Sequence, residues 1–316
     1  MKTAIRPKTD LLVLLLLIVL VVLALIMMIV RPWQYSDEEE VVKDPHEGQV
    51  WIFDGVEWVW MTPLEGVPEN AFSKDDFLMM ENVPIYLGDG YDTLLGVDVS
   101  EHQHEIDWRQ VKEAGVDFAY IRLGRRGYTE GGLFNDPWFE KNYEGAKENA
   151  ILVGVYFYSQ AITEAEAREE AEFLLGRLEG RELDLPVVYD WELIDNEDAD
   201  IARTKDLDME TRTDCALAFC KTVSGAGYQA SVYFNRILGY YGYDLSRLTN
   251  YPFWFALPVA PPELCWPSFY YKVDVWQYSF SETVPGIEGE TDMNMMFIPL
   301  EPETPEPTEE SSPAPN

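Results

Sequence analysis

The chain has 316 residues and carries 57 acidic side chains against 23 basic ones, which gives a formal net charge of −34. This balance excludes a nucleic-acid-binding protein, because the phosphates of DNA and RNA require surfaces rich in lysine and arginine. The hydrophobic content of 47% allows a sizeable core, in one large domain with extra segments or in two domains. The three cysteines match no metal or redox spacing, and so odd and sparse a set argues against a disulfide framework.

Residues 11–30 are all apolar, which is about the length that crosses a ~30 Å hydrocarbon core. Basic residues precede this run, at Lys2, Arg6 and Lys8. Because basic flanks stay inside, we predict a transmembrane anchor with residues 1–10 in the cytoplasm and the remaining chain outside. A cleaved signal peptide is the alternative. Its apolar region would be shorter and would end at a small-x-small site, whereas this run ends at Ile29-Val30-Arg31-Pro32.

Residues 31–47 are polar and acidic and are predicted to form a stalk. The following segment, 48–93, opens with a hairpin signal, because Asp54-Gly55 lies between alternating apolar residues. A two-residue turn there would place Trp51 opposite Trp58 and Phe53 opposite Val56, on one aromatic face. A lone hairpin is marginal in water. We therefore expect either a prop packed on the main domain or a surface that binds sugar or a partner.

A rhythm of strands and helices occupies residues 94–300. The predicted strands are 94–99, 118–123, 152–158, 186–191, 230–234, 253–257, 273–278 and 293–298. Helical patterns follow the first five strands, at 108–114, 138–149, 164–178, 209–226 and, less clearly, 236–248. Thr163 with Glu166 predicts a capping box at the start of the third helix, and Gly115, Gly180 and Gly227 stand where helix C-caps are expected. This alternation predicts an α/β domain with a parallel sheet, as an irregular β/α barrel or as an open doubly wound sheet. Residues 301–316, rich in proline and glutamate, are predicted to be disordered.

Asp190 and Glu192 end an otherwise apolar run that begins at Pro186. Side chains alternate across a strand, so both carboxylates point the same way, with Cα atoms roughly 7 Å apart. In a β/α barrel, catalytic residues lie at the carboxyl ends of the strands. The end of the first predicted strand adds Asp98 and the start of the last adds Asp292. Four carboxylates from three strands are therefore expected to surround one site.

Aromatic residues are expected to lie among these acids, namely Tyr156, Tyr158, Tyr233, Trp254, Trp276 and Tyr278. Rings stack on the C–H faces of sugars, and carboxylates accept hydrogen bonds from hydroxyl groups, so the combination favours a carbohydrate ligand. Glycoside hydrolysis needs a proton donor and a group that stabilises an oxocarbenium-like centre. Crowded carboxylates raise the pKa of one member, which keeps a proton available. Trp254 and Trp276 could equally belong to the barrel core.

Several motifs occur in order across residues 94–298. They are Gly96-Val97-Asp98-Val99-Ser100-Glu101-His102-Gln103, Ile106-Asp107-Trp108, Phe118-Ala119-Tyr120-Ile121-Arg122, Val153-Gly154-Val155-Tyr156, Asp190-Trp191-Glu192, Trp254-Phe255-Ala256, Trp276-Gln277-Tyr278, Val284-Pro285-Gly286-Ile287 and Asp292-Met293-Asn294. Together they resemble the glycoside hydrolase family 25 lysozymes. The resemblance implies a TIM-barrel-like fold with five β/α units and three further strands. It also implies N-acetylmuramidase activity, the cleavage of the β-1,4 bond between N-acetylmuramic acid and N-acetylglucosamine in peptidoglycan.

By this resemblance Glu192 is the general acid, and Asp190, Asp98 and Asp292 are its supporting carboxylates. Tyr156 lines the sugar site, and the resemblance also makes Gln277 a substrate-binding candidate. No cofactor is expected. Because N-acetylmuramic acid carries a 2-acetamido group, the Asp-x-Glu pair favours a substrate-assisted route. A direct protein nucleophile, with a carboxylate about 5–5.5 Å from the acid, is the alternative.

Two positions depart from the family pattern. His104 stands where the family usually has glycine, and Phe157 stands where a histidine commonly follows the tyrosine. Both could change the shape of the sugar site, but they leave the four acids in place. A metal site at His102 and His104 is not favoured, since two histidines make an incomplete ligand set.

Two other functions remain open from the sequence alone. The first is a non-catalytic peptidoglycan-binding protein on the same scaffold, which loss of one of the four acids would favour. The second is a glycosidase of another N-acetylhexosamine polymer such as chitin. The residues that precede Asp190, Val187-Val188-Tyr189, lack the additional aspartates of family 18 chitinases and count against chitin.

Overall fold

The computed structural model describes residues 9–34, 44–80, 83–194, 197–261 and 264–300. The basic residues at positions 2–8, most of the acidic stalk and the acidic tail 301–316 lie outside the described residues. The chain divides into two compact units, residues 1–48 and residues 49–316. The first contains helix α1 (Thr9–Gln34), whose central stretch Leu12–Ile29 has a mean hydropathy of 3.7. By length and composition α1 fits a membrane span, although a signal sequence fits the same criteria.

The second unit contains two short ribbons and a barrel. The strands are β1 (Val50–Phe53), β2 (Trp58–Met61), β3 (Phe77–Met80), β4 (Val83–Tyr86), β5 (Tyr91–Val99), β6 (Phe118–Arg126), β7 (Leu133–Asn135), β8 (Leu152–Ser159), β9 (Val187–Trp191), β10 (Ala230–Asn235), β11 (Phe253–Ala256), β12 (Val275–Glu282) and β13 (Thr291–Pro299). The helices are α2 (Trp108–Glu113), α3 (Phe139–Glu148), α4 (Glu164–Leu178) and α5 (Met209–Gly225).

Eight of these strands close into a barrel. Their order is β5-β13-β12-β11-β10-β9-β8-β6, and β5 also pairs with β6, which excludes the open doubly wound sheet. Seven strands are parallel, whereas β13 runs antiparallel to both β12 and β5. A π-helix over Leu238–Gly242 and a 3₁₀ turn follow β10 in place of the regular helix predicted at 236–248. The irregular barrel of five β/α units and three further strands is therefore confirmed, and it differs from a regular TIM barrel in its last third.

Strand alternation divides the apolar residues between two cores. Val188 belongs to the cluster inside the barrel, whereas its neighbour Tyr189 packs outward with the helices. The same alternation sends Tyr156 inward and Phe157 outward, where Phe157 is fully buried against Phe219. Both faces of the sheet are thus covered, which explains why the strands read as nearly continuous apolar runs.

Local signals fix the ends of the helices as the sequence predicts. The Thr163 hydroxyl accepts a hydrogen bond from the backbone N–H of Glu166 (3.3 Å) and caps the N-terminus of α4. The predicted capping box is only half formed, because the Glu166 carboxylate accepts from the N–H of Ile162 and not from Thr163. Three helices end near glycines with positive φ, at Gly115, Gly180 and Gly227, as expected.

The hairpin of β1 and β2 forms with a different register from the prediction. Trp51 pairs with Trp60 and Phe53 pairs with Trp58, so four residues, Asp54–Glu57, form the turn. The carboxylate of Asp54 accepts hydrogen bonds from the N–H groups of Val56 (2.8 Å) and Glu57 (2.9 Å). This side-chain turn replaces the two-residue turn predicted at Asp54-Gly55, and the predicted pairing of Trp51 with Trp58 is wrong.

The hairpin packs on the barrel through the face opposite its tryptophans. Ile52 is buried, and the other carboxylate oxygen of Asp54 accepts a hydrogen bond from the Tyr241 hydroxyl (2.7 Å). Trp51 and Trp58 remain 51% and 57% exposed. The hairpin therefore packs on the main domain, but it buries the face of Ile52 and leaves the tryptophan face exposed. The β3–β4 ribbon, which the sequence analysis did not anticipate, contributes Phe77 and Tyr86 to an aromatic cluster around Phe297.

Candidate active site

The four predicted acids line one cavity of about 500 Å³, which we name the acidic cavity. Asp98 lies near the end of β5, Asp190 near the end of β9, and Glu192 directly after β9. Asp292 lies at the start of β13, and because β13 is antiparallel its start meets the carboxyl ends of the parallel strands. The predicted convergence of the acids at one edge of the barrel is therefore present in the structure.

Asp98 and Asp292 form the first acid pair. They are direct partners across β5 and β13. The Gln277 side-chain amide donates to Asp98 (2.8 Å) and to Asp292 (3.2 Å), and the Asn294 amide donates to Asp98 (2.8 Å). Burial raises the pKa of both carboxyl groups above the ordinary range, and the charge of Asp98 raises the pKa of Asp292 further. The pair consequently tends to retain a proton near neutral pH.

Asp190 and Glu192 form the second acid pair. Asp190 is only 5% exposed, and its Oδ1 atom has no hydrogen-bond partner among the described residues. Burial, followed by the charges of Glu192 and Asp98, raises the pKa of Asp190 well above its ordinary value, and the Arg122 guanidinium opposes that shift. The neighbouring Glu192 carboxyl thus favours the protonated form of Asp190.

The backbone of Glu192 is fixed from outside the sheet. The side-chain amide of Gln160 donates to the Glu192 carbonyl (2.9 Å), and the Thr204 hydroxyl donates to the Gln160 carbonyl oxygen (2.8 Å). Gln160 and Thr204 are both fully buried, so this link has little freedom to move. The side chain of Glu192 remains partly exposed and lines the acidic cavity. Sequence reasoning missed this link, because its members are distant in the chain.

Trp254 forms the aromatic floor of the acidic cavity. Its ring stacks on Tyr120 at 4.6 Å and meets Tyr233 edge-on at 4.9 Å and Tyr156 at 6.1 Å. The indole N–H donates to the side-chain oxygen of Asn294 (2.8 Å). Trp254 is 2% exposed yet lines the cavity, so it serves both as barrel core and as floor. Tyr156, Tyr158, Tyr233 and Gln277 also line the cavity, as predicted.

Trp276 is not brought to the site. It is fully buried in the outer core against Phe77, and its indole N–H donates to the Leu257 carbonyl (2.8 Å). Tyr278 is buried in the same outer core. The reason is strand alternation, since Gln277 points into the barrel and its two neighbours must then point outward. The structure thus assigns Trp276 and Tyr278 to packing, not to the sugar site.

Arg122 and Asn294 are site residues that the sequence analysis quoted in motifs but did not assign. Arg122 lines the acidic cavity and donates to the carboxylates of Asp136 and Glu101, each at 2.9 Å. Asn294 joins the first acid pair to the aromatic floor. Alternation was the signal that could have found them, because Arg122 shares the strand parity of inward-facing Tyr120, and Asn294 shares that of Asp292.

The two family departures lie outside the acidic cavity. Phe157 points into the outer core, so it does not shape the sugar site. His104 adopts a φ of 51°, a backbone conformation that favours glycine, and its ring lies 6.3 Å from Trp138. His102 lines the cavity. Within the described residues, no group of three or more His, Cys, Asp and Glu side chains could hold a metal ion.

A second cavity of about 390 Å³ adjoins the first, and we name it the hairpin cavity. The two cavities share Glu192, Tyr233 and Phe280. Gly55 of the β1–β2 turn and Arg236 line the far part of the hairpin cavity. Glu192 therefore stands where two binding spaces meet, a position from which one carboxyl can reach a bond that joins two sugar rings.

Comparison with known proteins gives consistent matches. Residues 97–287 match the model of Glycosyl hydrolases family 25. Lysozyme M1 of Streptomyces globisporus is 28% identical over 209 residues, which cover 63% of this chain and 66% of that protein. The autolytic lysozyme of Clostridium acetobutylicum is 26% identical over 200 residues, covering 63% of this chain and 54% of that protein. The chain thus spans between about half and two thirds of these two relatives.

Two solved structures share the fold. The modular autolysin LytC of Streptococcus pneumoniae, in complex with a synthetic peptidoglycan ligand, gives a TM-score of 0.53 at 23% identity, covering 70% of this chain and 57% of LytC. A family 25 glycosyl hydrolase of Bacillus anthracis gives a TM-score of 0.53 at 22% identity, covering 72% of this chain and 94% of that protein. The family match covers more than half of the chain and includes Asp98, Asp190 and Glu192. The chain is therefore a member of glycosyl hydrolase family 25.

Proposed function

We propose that the protein hydrolyses the β-1,4 bond between N-acetylmuramic acid and N-acetylglucosamine in peptidoglycan, with Glu192 as general acid. Family membership, two relatives named lysozymes and the peptidoglycan complex of LytC support this assignment. The observation that carries it is the position of Glu192, at the junction of two cavities and two residues from the buried Asp190 that lines the same cavity.

In this proposal Glu192 gives its proton to the departing glycosidic oxygen. The acetamido oxygen of the sugar attacks the anomeric carbon, and Asp190 holds the acetamido N–H. Glu192 then removes a proton from the water that opens the intermediate. The Oδ1 atom of Asp190 supports this step, because it is a buried acceptor that lacks a partner among the described residues. Such an atom is stabilised by a donor supplied by the substrate.

A direct protein nucleophile is the competing route. It would require a carboxylate about 5–5.5 Å from Glu192 on the other side of the bond, and Asp98 or Asp292 would have to supply it. Those two acids accept three hydrogen bonds from side-chain amides and tend to retain a proton. Both properties weaken a nucleophile, so we favour substrate assistance.

Digestion of purified peptidoglycan tests the activity. Reduction of the products with borohydride identifies the new reducing ends, which we expect to be muramic acid. Glu192→Gln removes the transferable proton and should lower turnover by roughly 10²–10⁴-fold. Glu288→Gln is the matched control, because Glu288 also lines the acidic cavity but has no role in the proposed chemistry. Near-native release of muramic acid ends by Glu192→Gln would reject Glu192 as the acid.

We also propose that residues 11–30 anchor the protein, with the barrel on the cell-wall side. The length and hydropathy of α1 support this placement. Intact-mass analysis of the mature protein distinguishes the anchor from a signal sequence. An N-terminus that begins near residue 31 would reject the anchor.

A further inference from the structure

The tryptophans of the β1–β2 hairpin form a surface that the proposed reaction does not use. Trp51 lies 5.0 Å from Trp60 and 6.1 Å from Trp58, and the planes of Trp51 and Trp58 differ by only 16°. Phe53 continues the row at 5.8 Å from Trp58. We name these four residues the aromatic row. Three of them are more than 40% exposed.

The aromatic row is held rigidly on the barrel. The Asp54 carboxylate receives hydrogen bonds from two backbone N–H groups of its own turn and from the Tyr241 hydroxyl. The guanidinium of Arg236 lies over the ring of Phe53, 5.5 Å from its centroid. Both faces of the hairpin are aromatic or apolar, and the face opposite the tryptophans packs on the barrel. The tryptophans are therefore exposed although the hairpin is firmly attached. A rigid set of exposed rings has the properties of a preorganised binding surface.

The aromatic row lies beside the hairpin cavity, which in turn adjoins the acidic cavity at Glu192. Gly55, in the turn between Phe53 and Trp58, lines the hairpin cavity together with Arg236. Arg236 also donates to the Ser268 carbonyl (2.7 Å). Ser268, Phe53 and Trp58 in turn line a groove of about 230 Å³, together with Trp51, Ile52, Tyr240, Trp266, Phe269 and Tyr270. The groove and the hairpin cavity share no lining residue within the described part of the chain, but the hydrogen bond from Arg236 to Ser268 and the β1–β2 turn connect their linings, so the aromatic row lies next to the hairpin cavity.

We propose that the β1–β2 hairpin extends the substrate cleft, and that the aromatic row binds N-acetylhexosamine units of the same glycan strand that Glu192 cleaves. This proposal rests on the proposed function and specifies its substrate as a long strand. Sugar rings present flat C–H faces, and stacked aromatic planes match them. The C–H faces of the sugar carry no charge, so a protein with a net charge of −34 does not repel them.

The test compares a long substrate with a short one, using the full chain in detergent. The long substrate is insoluble peptidoglycan, and the short one is a soluble tetrasaccharide of alternating N-acetylglucosamine and N-acetylmuramic acid. Trp51→Ala and Trp58→Ala should each lower the ratio of the rate on the long substrate to the rate on the short one by roughly threefold to tenfold. Leu87→Ala is the control, because Leu87 is 63% exposed on the same N-terminal segment but lies outside the row.

Binding is measured separately from turnover. In a Glu192→Gln background, cosedimentation with insoluble peptidoglycan should weaken by the same factor when Trp51→Ala or Trp58→Ala is added. Far-ultraviolet circular dichroism and thermal melting show whether each variant is folded, and two positions on different strands guard against failure of one variant.

The outcomes are distinct. If the wild-type protein releases no muramic acid ends from either substrate, the proposed function fails. If the wild-type protein digests both substrates, but the tryptophan variants have the same ratio of long-substrate rate to short-substrate rate as Leu87→Ala, the proposed extension of the cleft is overturned. A third outcome also overturns the cleft extension. If brominated phosphatidylcholine quenches the tryptophan fluorescence of the wild-type protein, and if Trp58→Ala reduces this quenching but leaves wall binding unchanged, the aromatic row binds the membrane.

Discussion

The two acid pairs of the site both consist of carboxyl groups but differ in their hydrogen-bond partners. Asp98 and Asp292 face each other across two strands and accept three hydrogen bonds from Gln277 and Asn294. Asp190 lies near the end of β9 and Glu192 directly after it, and Asp190 leaves one buried oxygen without a partner among the described residues. The hydrogen bonds hold the first pair in place, whereas the open oxygen of Asp190 can accept a hydrogen bond from a substrate donor. This difference supports our proposal that the first pair has a supporting role and that the second pair carries the chemistry.

The largest effect should come from the second pair. Asp190→Asn removes the acid that we expect to hold the acetamido N–H, so kcat should fall by roughly 10²–10³-fold, less than for Glu192→Gln. Steady-state digestion of peptidoglycan measures this change, with Glu288→Gln as the control. Loss of activity below tenfold would contradict the division between the pairs.

Removal of a donor from the first pair should affect stability. Asn294→Ala removes one of the two amide donors to the Asp98 carboxylate and the acceptor of the Trp254 indole N–H. The free energy of unfolding should decrease by about 1–3 kcal/mol, the usual penalty for a buried polar group that loses its hydrogen bond. Denaturant titration gives this value. An unchanged midpoint would show that the amide network does not support the pair.

Neutralising one member of the first pair should stabilise the fold. The folded-state pKa of Asp292 is raised, so the folded protein binds that proton more tightly than the unfolded chain. Stability is therefore lost as pH rises from the unfolded pKa through the folded one. Asp292→Asn avoids this loss and should raise Tm at pH 7.5 by about 2–4 °C for each kcal/mol gained, at the expense of activity.

The advantage of Asp292→Asn should shrink as the pH falls toward 4, because the pH then approaches the ordinary aspartate pKa of 3.8, below which Asp292 is protonated in both the folded and the unfolded state. Melting curves at pH 4, 6 and 7.5 trace this dependence. An advantage that grows as the pH falls would have the wrong sign and would contradict the raised pKa.

The smallest effect should arise outside both pairs. His104 holds a φ of 51° without being glycine, so His104→Gly should relieve backbone strain of about 1 kcal/mol. Both acid pairs remain intact in this variant, so Tm should rise while the pH profile of activity keeps its shape. Thermal melting checks the gain, and His104→Ala is the matched control because alanine keeps the strain. Equal melting temperatures for the two variants would argue against strain at this position.

The eight barrel strands and the convergence of the four acids could be predicted from local sequence patterns. Apolar runs that end in carboxylates mark strand ends, and parallel strands bring those ends to one edge, so Asp98, Asp190 and Glu192 could be placed without coordinates. The helix caps at Thr163 and Gly227 were equally readable, since they depend on neighbours within a few residues.

Features that depend on distant partners could not be predicted in this way. The hairpin register is accompanied by a hydrogen bond from the Tyr241 hydroxyl to Asp54, 187 residues away, and a local turn rule selected the wrong pairing. Trp276 faces outward because Gln277 must reach Asp98, 179 residues away. The partners of Gln160 and Asn294 also lie on other elements. Short-range patterns fix which face a residue occupies, but hydrogen-bond partners are fixed only once closure of the barrel brings remote strands together.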